Sequence, residues 1–426
     1  MEAPEPDASP VRRGLKDALL FAPGRILPAA TALLLVVLAG RYLTLADLGA
    51  FGLYVTTLGL ASVVLSGWLD QATLRYLPGH AERGETAQFL QNNHHALRRT
   101  TAATAALALL GILGAWLWVP SQLGEACVFG ALLLGTVWYN NSQFLLVGQR
   151  KAIHYSLAEV LRTGVCVGGV LVVAALGHSS VLAFLATLTA GTVAGLLHSA
   201  TRAGAWSPTA SDLQGARAYL RNAWAYGFPL LGWILGAQAL AFADRYLVQH
   251  FLGTEAVGIY YANYQFLPAI PFLLAMPLLY SAHTTIMAAA DKATPAELES
   301  LVQRFGRLYV LVTLPLCLAV SLAATPVTRF LLGPEVAKGA YIVPWVIAGN
   351  FLWNLAMYGH KRFEVEGRTR LMLKFVLLCV VANVVLNLLL IPLLGLLGAA
   401  IATLASYALY PALVYVKRGG AFRWRL

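Results

Sequence analysis

Six charged side chains lie within long apolar stretches of the sequence: Arg25, Asp70, Glu159, Arg162, Asp244 and Arg245. A charge at the centre of a bilayer costs about 2.5–3.5 kcal/mol even on the insertion scale, so each one requires a partner or a function. A guanidinium stays charged and grips phosphate oxygens in a bidentate fork. Arginines in a wet intramembrane cavity would therefore bind a phosphate-bearing anion, and the acids would gate the cavity or couple it to an ion.

Arg25, Arg162 and Arg245 are the predicted substrate contacts, and they differ in their surroundings. Arg25 follows Pro23 and Gly24, which interrupt a helix, and has no acid close by in sequence. We therefore expect it to be the leading anion contact. Arg162 lies three residues after Glu159 and shares a helix face with it, so a structural ion pair is the alternative to a supporting anion contact.

Two further pairs leave alternatives open. Asp244 and Arg245 end an apolar stretch, where they could form a gate across an outer cleft or a fixed tie between the halves of the chain. Asp70 and Arg75 are best explained as an end-of-helix pair, with ion coupling by Asp70 as the alternative.

Two histidines also lie in apolar stretches. His283 and His360 could relay protons, but polar packing is the simpler interpretation.

Uncharged polar side chains recur inside the same stretches: Asn140, Asn141, Gln143, Gln238, Asn263, Gln265, Asn350, Asn354, Asn383 and Asn387. Their amides can bind sugar hydroxyls, and Trp138, Tyr139, Tyr261 and Tyr264 beside them could stack on sugar rings. For any single amide, an interhelical hydrogen bond is the more economical explanation.

The elements that position these residues are twelve apolar stretches, each about long enough to cross a bilayer. They are residues 17–43, 48–76, 98–119, 124–148, 154–176, 179–201, 222–248, 256–288, 304–326, 340–360, 371–392 and 395–416. Of the 426 residues, 59% are hydrophobic and 12% charged, against about 25% charged in soluble domains. The composition predicts an all-α integral membrane protein and excludes a soluble enzyme.

The distribution of positive charge predicts the orientation. Most of the 30 lysines and arginines fall at the ends of stretches on one side, and short basic loops stay cytoplasmic. Both termini should therefore be cytoplasmic, in a multi-pass protein of a bacterial inner membrane. The net charge of +11 follows from this topology and is not gathered into a patch, so no nucleic-acid partner is expected.

An internal repeat divides the chain. The segments 41–54 and 245–260 both begin Arg-Tyr-Leu and end Ala, an apolar residue, Gly, an aliphatic residue, Tyr. Arg41 is thus the repeat mate of Arg245, although we expect it at the surface. Because each repeat has six spans, an even number, the two six-helix bundles should be related by a pseudo-two-fold axis along the membrane normal.

Five regions follow from the repeat. We predict a disordered cytoplasmic tail at 1–15, an N-terminal lobe at 16–203, a cytoplasmic linker at 204–221, a C-terminal lobe at 222–418 and a cytoplasmic tail at 419–426. Parallel repeats with helices broken by proline and glycine are typical of transporters.

The order of several motifs resembles a known family. The motifs are AFGLY at 50–54, Asp244-Arg245, VGIY at 257–260 and IPLLGLLGAAIATL at 391–404. Together they are similar to the O-antigen type polysaccharide flippases of the multidrug/oligosaccharidyl-lipid/polysaccharide (MOP) superfamily. The resemblance covers nearly the whole chain.

The resemblance implies a function and a set of partners. The protein would flip an undecaprenyl-pyrophosphate-linked oligosaccharide from the inner to the outer leaflet by alternating access through a cationic central cavity. Its partners would be membrane lipid and polysaccharide polymerase machinery, and it would have neither a cofactor nor enzymatic activity. The alternative within the same superfamily is a cation-coupled multidrug exporter.

Overall fold

A computed structural model describes residues 10–206, 213–290 and 293–417, and the side chains from Ile26 onward within them, apart from 213, 229, 274 and 295. The predicted N-terminal tail before Pro10, the predicted C-terminal tail and residues 207–212 of the predicted linker lie outside these ranges.

The described residues are almost entirely helical. The first part of the chain forms α1 Pro10–Tyr42, α2 Leu45–Glu82, α3 Thr86–Trp118, α4 Leu123–Gly148, α5 Ala152–Ala175, α6 Val181–Ala203 and α7 Leu213–Leu252. The second part forms α8 Thr254–Gln265, α9 Ala269–Ala289, α10 Pro295–Leu322, α11 Ala324–Leu332, α12 Pro334–Ala337, α13 Val343–Gly359, α14 Lys361–Val365, α15 Thr369–Leu394 and α16 Leu396–Lys417. Short 3₁₀ turns at Pro120–Gln122 and Ala340–Ile342 precede α4 and α13.

Most of these helices are long and apolar enough to cross a membrane. Within the described residues there are 9 such helices, or up to 11 when each of two bent helix pairs is counted as one span. The part of α1 from Ile26 to Tyr42 is a further, shorter apolar helix. The prediction of an all-α integral membrane protein with about twelve transmembrane helices in two bundles is confirmed.

The chain packs as two compact units. Unit 1 comprises the described residues of Met1–Leu35 and Thr57–Leu231, and unit 2 those of Val36–Thr56 and Gly232–Leu426. Helices α1, α2 and α7 therefore each contribute residues to both units. The lobe boundaries predicted from the repeat remain predictions.

Helix ends follow local rules. Ser180 caps α6 by accepting a hydrogen bond from the Ala183 backbone N–H, and Gly204 ends that helix with φ 72°. Thr294 and Glu297 form a reciprocal capping box around Pro295 at the start of α10.

Glycines of the repeated segments bring helices close together. In unit 2, a Cβ on Gly258 of α8 would lie 2.3 Å from the Leu45 carbonyl of α2, and one on Gly52 would lie 2.6 Å from the Tyr261 ring. In unit 1, a Cβ on Gly227 of α7 would lie 2.1 Å from the Trp68 carbonyl of α2. Only glycine permits these contacts, so the glycines set the spacing of α2 with both α7 and α8.

Candidate functional site

Unit 2 contains a cavity of about 300 Å³ that combines amide and aromatic side chains. It is lined by Tyr264, Gln265, Pro268, Ala269, Phe272, Leu273, Met276, Asn350 and Asn354. Residues of α8 and α9 meet α13 here, although they are far apart in sequence. None of the lining side chains carries a charge.

Hydrogen bonds orient two of the lining amides. The Gln265 carbonyl oxygen accepts from Arg245 Nη2 at 3.0 Å, which turns the Gln265 amino group away as a donor. The Asn354 amino group donates to the Asn350 carbonyl at 2.9 Å, one turn earlier on α13. The Asn354 Oδ1 has no hydrogen-bond partner among the described residues, so this oxygen can accept. A donor and an acceptor in one cavity suit a hydroxyl group, which does both.

Arg245 lies behind this cavity and is only 2% exposed. Its guanidinium donates to Gln265 and to the Thr56 hydroxyl, and its Cζ lies 4.6 Å from the Phe242 ring centroid and 5.2 Å from that of Tyr261. The predicted substrate contact at Arg245 is not accessible in this conformation. What the structure shows is an arginine that fixes the orientation of Gln265.

Asp244, the predicted gating or ion-coupling acid, is fully buried in unit 2. Its Oδ2 accepts from the Tyr260 hydroxyl at 2.5 Å and from the Thr403 hydroxyl at 3.3 Å. Its Oδ1 has no hydrogen-bond partner within the described part of the chain. The acid is therefore tied to α8 and α16, and Arg245 is its adjacent cation.

In unit 1, Arg162 and Glu159 form the ion pair that their spacing predicted. Arg162 Nε lies 3.1 Å from Glu159 Oε2, and the Gln143 amide approaches the other carboxylate oxygen at 3.4 Å. The Arg162 guanidinium also lies 5.3 Å from the centroid of the Tyr139 ring. The Arg162 side chain is 31% exposed, whereas that of Glu159 is 7% exposed. The cationic member of the pair is the one a ligand could reach.

Asp70 is the centre of a buried polar network in unit 1. It contacts the Ser66 hydroxyl at 3.2 Å and the Asn141 amide at 3.4 Å, and Asn141 in turn accepts from Asn93 at 2.8 Å. The expected pair with Arg75 is wrong, because Arg75 is exposed while Asp70 is 3% exposed. Five residues along a helix turn a side chain through about 140° from the first, so the two cannot share a face.

Arg25, expected to be the leading anion contact, lies on α1 outside the residues whose side chains the structure describes. Its role stays a prediction.

A cluster of polar side chains around Glu364 in unit 2 is not among the sites predicted from the sequence. The Glu364 carboxylate lies 2.8 Å from Lys361 Nζ and 2.9 Å from His360 Nε2, and His283 Nδ1 lies 3.0 Å from Lys361 Nζ. His360 also contacts the Tyr410 hydroxyl at 3.1 Å. Polar packing of the two histidines is thus confirmed. The three- and four-residue spacings from Lys361 and His360 to Glu364 were the available signal.

Sequence comparison places the chain in a family. A model of the polysaccharide biosynthesis protein family matches residues 37–338. The chain belongs to the polysaccharide biosynthesis protein family. No significant match was found among curated proteins.

Solved structures share the fold at low sequence identity. A lipid II flippase, MurJ, in an inward closed conformation is 12% identical, with a TM-score of 0.74 over 94% of this chain and 87% of that one. The inward-facing conformation of a multidrug resistance MATE family transporter of the MOP superfamily is 14% identical, with a TM-score of 0.72 over 92% of this chain and 93% of that one. The outward-facing conformation of such a transporter is 15% identical, with a TM-score of 0.62 over 94% of both chains.

These matches confirm the family resemblance seen in the motifs. The polysaccharide biosynthesis protein has the fold of MOP superfamily transporters and is a multi-pass membrane protein.

Proposed function

We propose that this family member flips a polyprenyl-pyrophosphate-linked oligosaccharide from the inner to the outer leaflet of the cytoplasmic membrane by alternating access. The family match supports a role in polysaccharide synthesis. The similarity in fold to a lipid II flippase is consistent with a lipid-linked substrate.

The observation that carries the proposal is the lining of the unit 2 cavity. Gln265 offers a donor and Asn354 an acceptor, with the rings of Tyr264 and Phe272 beside them. Sugars are recognised by such pairs of amides and by stacking on aromatic rings. A site for organic cations would add a carboxylate to such aromatic rings, and none of the residues that line this cavity is an acid.

Within this proposal the arginines have different roles. Arg25 and the partly exposed Arg162 are the phosphate contacts. Arg245 is a positioning residue, because it holds Gln265 from behind the cavity. Glu159 keeps Arg162 in place while leaving its outer guanidinium nitrogens to the ligand.

The first test is the chemical phenotype of a deletion strain. We expect undecaprenyl-linked oligosaccharide to accumulate in lipid extracts and surface polysaccharide to disappear, with both restored by the wild-type gene. Unchanged lipid-linked sugars together with increased sensitivity to cationic drugs would instead establish the multidrug exporter, with Glu159, Asp244 and Asp70 as its coupling acids.

The second test addresses the cavity itself. Gln265→Ala removes the oriented donor, and loss of one hydrogen bond to a sugar should weaken transport about threefold to tenfold. Gln303→Ala is the matched control, because this amide also bonds a neighbouring side chain, Glu299, but lies outside the cavity. Both variants are compared at equal membrane levels by the surface polymer they restore. Equal activity of the two would remove the cavity from the substrate path.

A further inference from the structure

Asp70 differs from the other buried acids of the chain. Three carboxylate side chains are buried within the described residues: Asp70, Glu159 and Asp244. Glu159 is paired with Arg162, and Asp244 is followed by Arg245. No lysine or arginine pairs with Asp70 in the described part of the chain, so the residues described around it offer an ionised carboxylate no countercharge.

The oxygen–oxygen distances around Ser66 indicate which form of Asp70 fits. Ser66 Oγ lies 3.0 Å from the Ser62 carbonyl oxygen and 3.2 Å from Asp70 Oδ2. The carbonyl has no hydrogen of its own, and the serine hydroxyl has only one. Both contacts can be full two-centre hydrogen bonds only if Asp70 supplies the second hydrogen, because an ionised Asp70 would have to share the single serine hydrogen with the Ser62 carbonyl. The neutral acid is therefore the form that satisfies both contacts.

Among the side chains that the structure describes, the neighbouring helices provide no charge that would replace this proton. The groups that meet the site are amides and hydroxyls: Asn93 from α3, Asn141 from α4, and Thr73 and Tyr219, whose hydroxyls contact the Asn93 carbonyl oxygen at 3.1 Å each. Tyrosine is neutral at ordinary pH. The other charged or titratable groups described on these helices near this level are exposed or have other contacts: Arg75, Tyr76, His94, Arg98, Arg99, Tyr139, Arg217 and Arg221. His95 is half-buried, and the charges of Arg99, Arg98 and Arg217 act on it.

The helices that carry the network connect it to the rest of the molecule. Asp70 lies on α2 and Tyr219 on α7, and both helices continue from unit 1 into unit 2. Trp68 of α2 and Trp224 of α7 pack edge to face at 5.2 Å in the same unit. A change at Asp70 would therefore act on the contact between two helices that run into both units.

We infer that Asp70 is a proton-binding site, and that release and rebinding of its proton rearranges the Ser66–Asn141–Asn93–Tyr219 network and so couples transport to a proton gradient. The reaction is an exchange of one proton between the carboxyl group and water. The link to transport rests on the proposed function, but proton binding does not.

Infrared difference spectroscopy of the purified full-length protein tests the site directly. Between acidic and alkaline pH, we expect the carbonyl stretch of a buried neutral carboxyl to disappear as the carboxylate bands appear. Asp70→Asn should abolish this signal, and Glu82→Gln, which removes an exposed acid from the same helix, should leave it intact. The same signal in Asp70→Asn and in the wild type would overturn the inference.

Ser66→Ala tests the assignment independently if Asp70→Asn fails to fold. Ser66→Ala keeps the acid but removes the hydroxyl next to Oδ2, so the carboxyl band should shift in frequency while still titrating. An unshifted band would show that the titrating group is elsewhere and would contradict the assignment.

Transport then separates this inference from the proposed function. In the deletion strain, Asp70→Asn should insert normally yet fail to restore surface polysaccharide, whereas Glu82→Gln should restore it. Full restoration by Asp70→Asn would overturn the coupling role. If the deletion itself changed no lipid-linked sugar, the flippase proposal would fail while the infrared assignment of Asp70 stood.

Discussion

At the scale of single residues, Arg41 and Arg245 show how one repeated arginine serves two purposes. Arg41 is exposed and donates to the backbone carbonyls of Phe330 and Leu331. Arg245 is buried among aromatic rings, where it joins Thr56 to Gln265. The same residue type thus binds the carbonyl end of α11 in one copy of the repeat and supports a cavity wall in the other.

Substitution of Arg41 and of Arg245 by alanine should distinguish these two roles. Arg245→Ala leaves Asp244 buried without its cation and Gln265 without its donor, so we expect a loss of about 3 kcal/mol in unfolding free energy and a loss of transport. Arg41→Ala should change stability by only about 0.5 kcal/mol, as surface substitutions usually do. Unfolding in detergent, followed by circular dichroism, measures the difference. Equal effects would contradict the supporting role of Arg245.

The Glu364 cluster gives a prediction about stability. Glu364→Gln leaves Lys361, whose side chain is 8% exposed, without its carboxylate, and should cost about 3 kcal/mol. Glu335→Gln is the matched control, because it removes an ion pair with the same three-residue spacing, to Lys338, between exposed side chains. It should lower the free energy of unfolding by at most about 1 kcal/mol. The melting temperatures of the two purified variants, each compared with the wild type, measure the two losses of stability. A control as unstable as Glu364→Gln would show that burial is not what makes this pair important.

At the scale of elements, close glycine contacts define the packing of the repeated segments. Gly49 and Gly258 lie where α2 and α8 approach, and a Cβ on Gly49 would lie 2.0 Å from the Thr254 carbonyl. The obstructing atoms belong to backbone and cannot move aside as a flexible side chain would. The distance between these two helices therefore depends on the absence of side chains.

Gly258→Ala should consequently force α2 and α8 apart within unit 2. We expect a destabilisation of about 1–3 kcal/mol, the usual cost of overpacking. Gly306→Ala on α10 is the control, since nothing lies within 4 Å of its Cβ position, and it should be neutral or stabilising by up to about 1 kcal/mol. Thermal unfolding of both variants in one detergent gives the comparison. A stable Gly258→Ala protein would mean that the two helices are free to separate.

At the scale of the whole molecule, the orientation in the membrane remains a prediction of the positive-inside rule. The turn at Pro120–Gln122 should be outside and the connection between α2 and α3 should be cytoplasmic. Ser121 and Ala81 are exposed positions in these two places.

Cysteine labelling in intact cells tests this orientation. In a Cys127→Ser background, which removes the one exposed native thiol of the described residues, Ser121→Cys should react with an impermeant maleimide and Ala81→Cys should not. Permeabilised cells should label both. The opposite pattern would invert the predicted topology and with it the direction of the proposed flipping.

Composition and local spacing in the sequence were sufficient for the architecture. A segment that crosses the bilayer must be a long apolar helix, whichever other helices it packs against. The spans, the helical class and the family resemblance could therefore be predicted from the sequence alone. The Glu159–Arg162 pair followed as well, because three residues along one helix place two side chains together.

The partners of the remaining site residues depended on tertiary structure. Asn141 contacts Asp70 from another helix, and Asn93 and Tyr219 extend this network from two more. Asn350 and Asn354 line one cavity with Gln265, from which they are separated by 85 or more positions of sequence. Periodicity tells which residues share a face of one helix, but not which faces of different helices meet. Packing alone decided that Arg245 is buried behind a cavity and that Asp70 has a serine and an amide, not Arg75, as its partners.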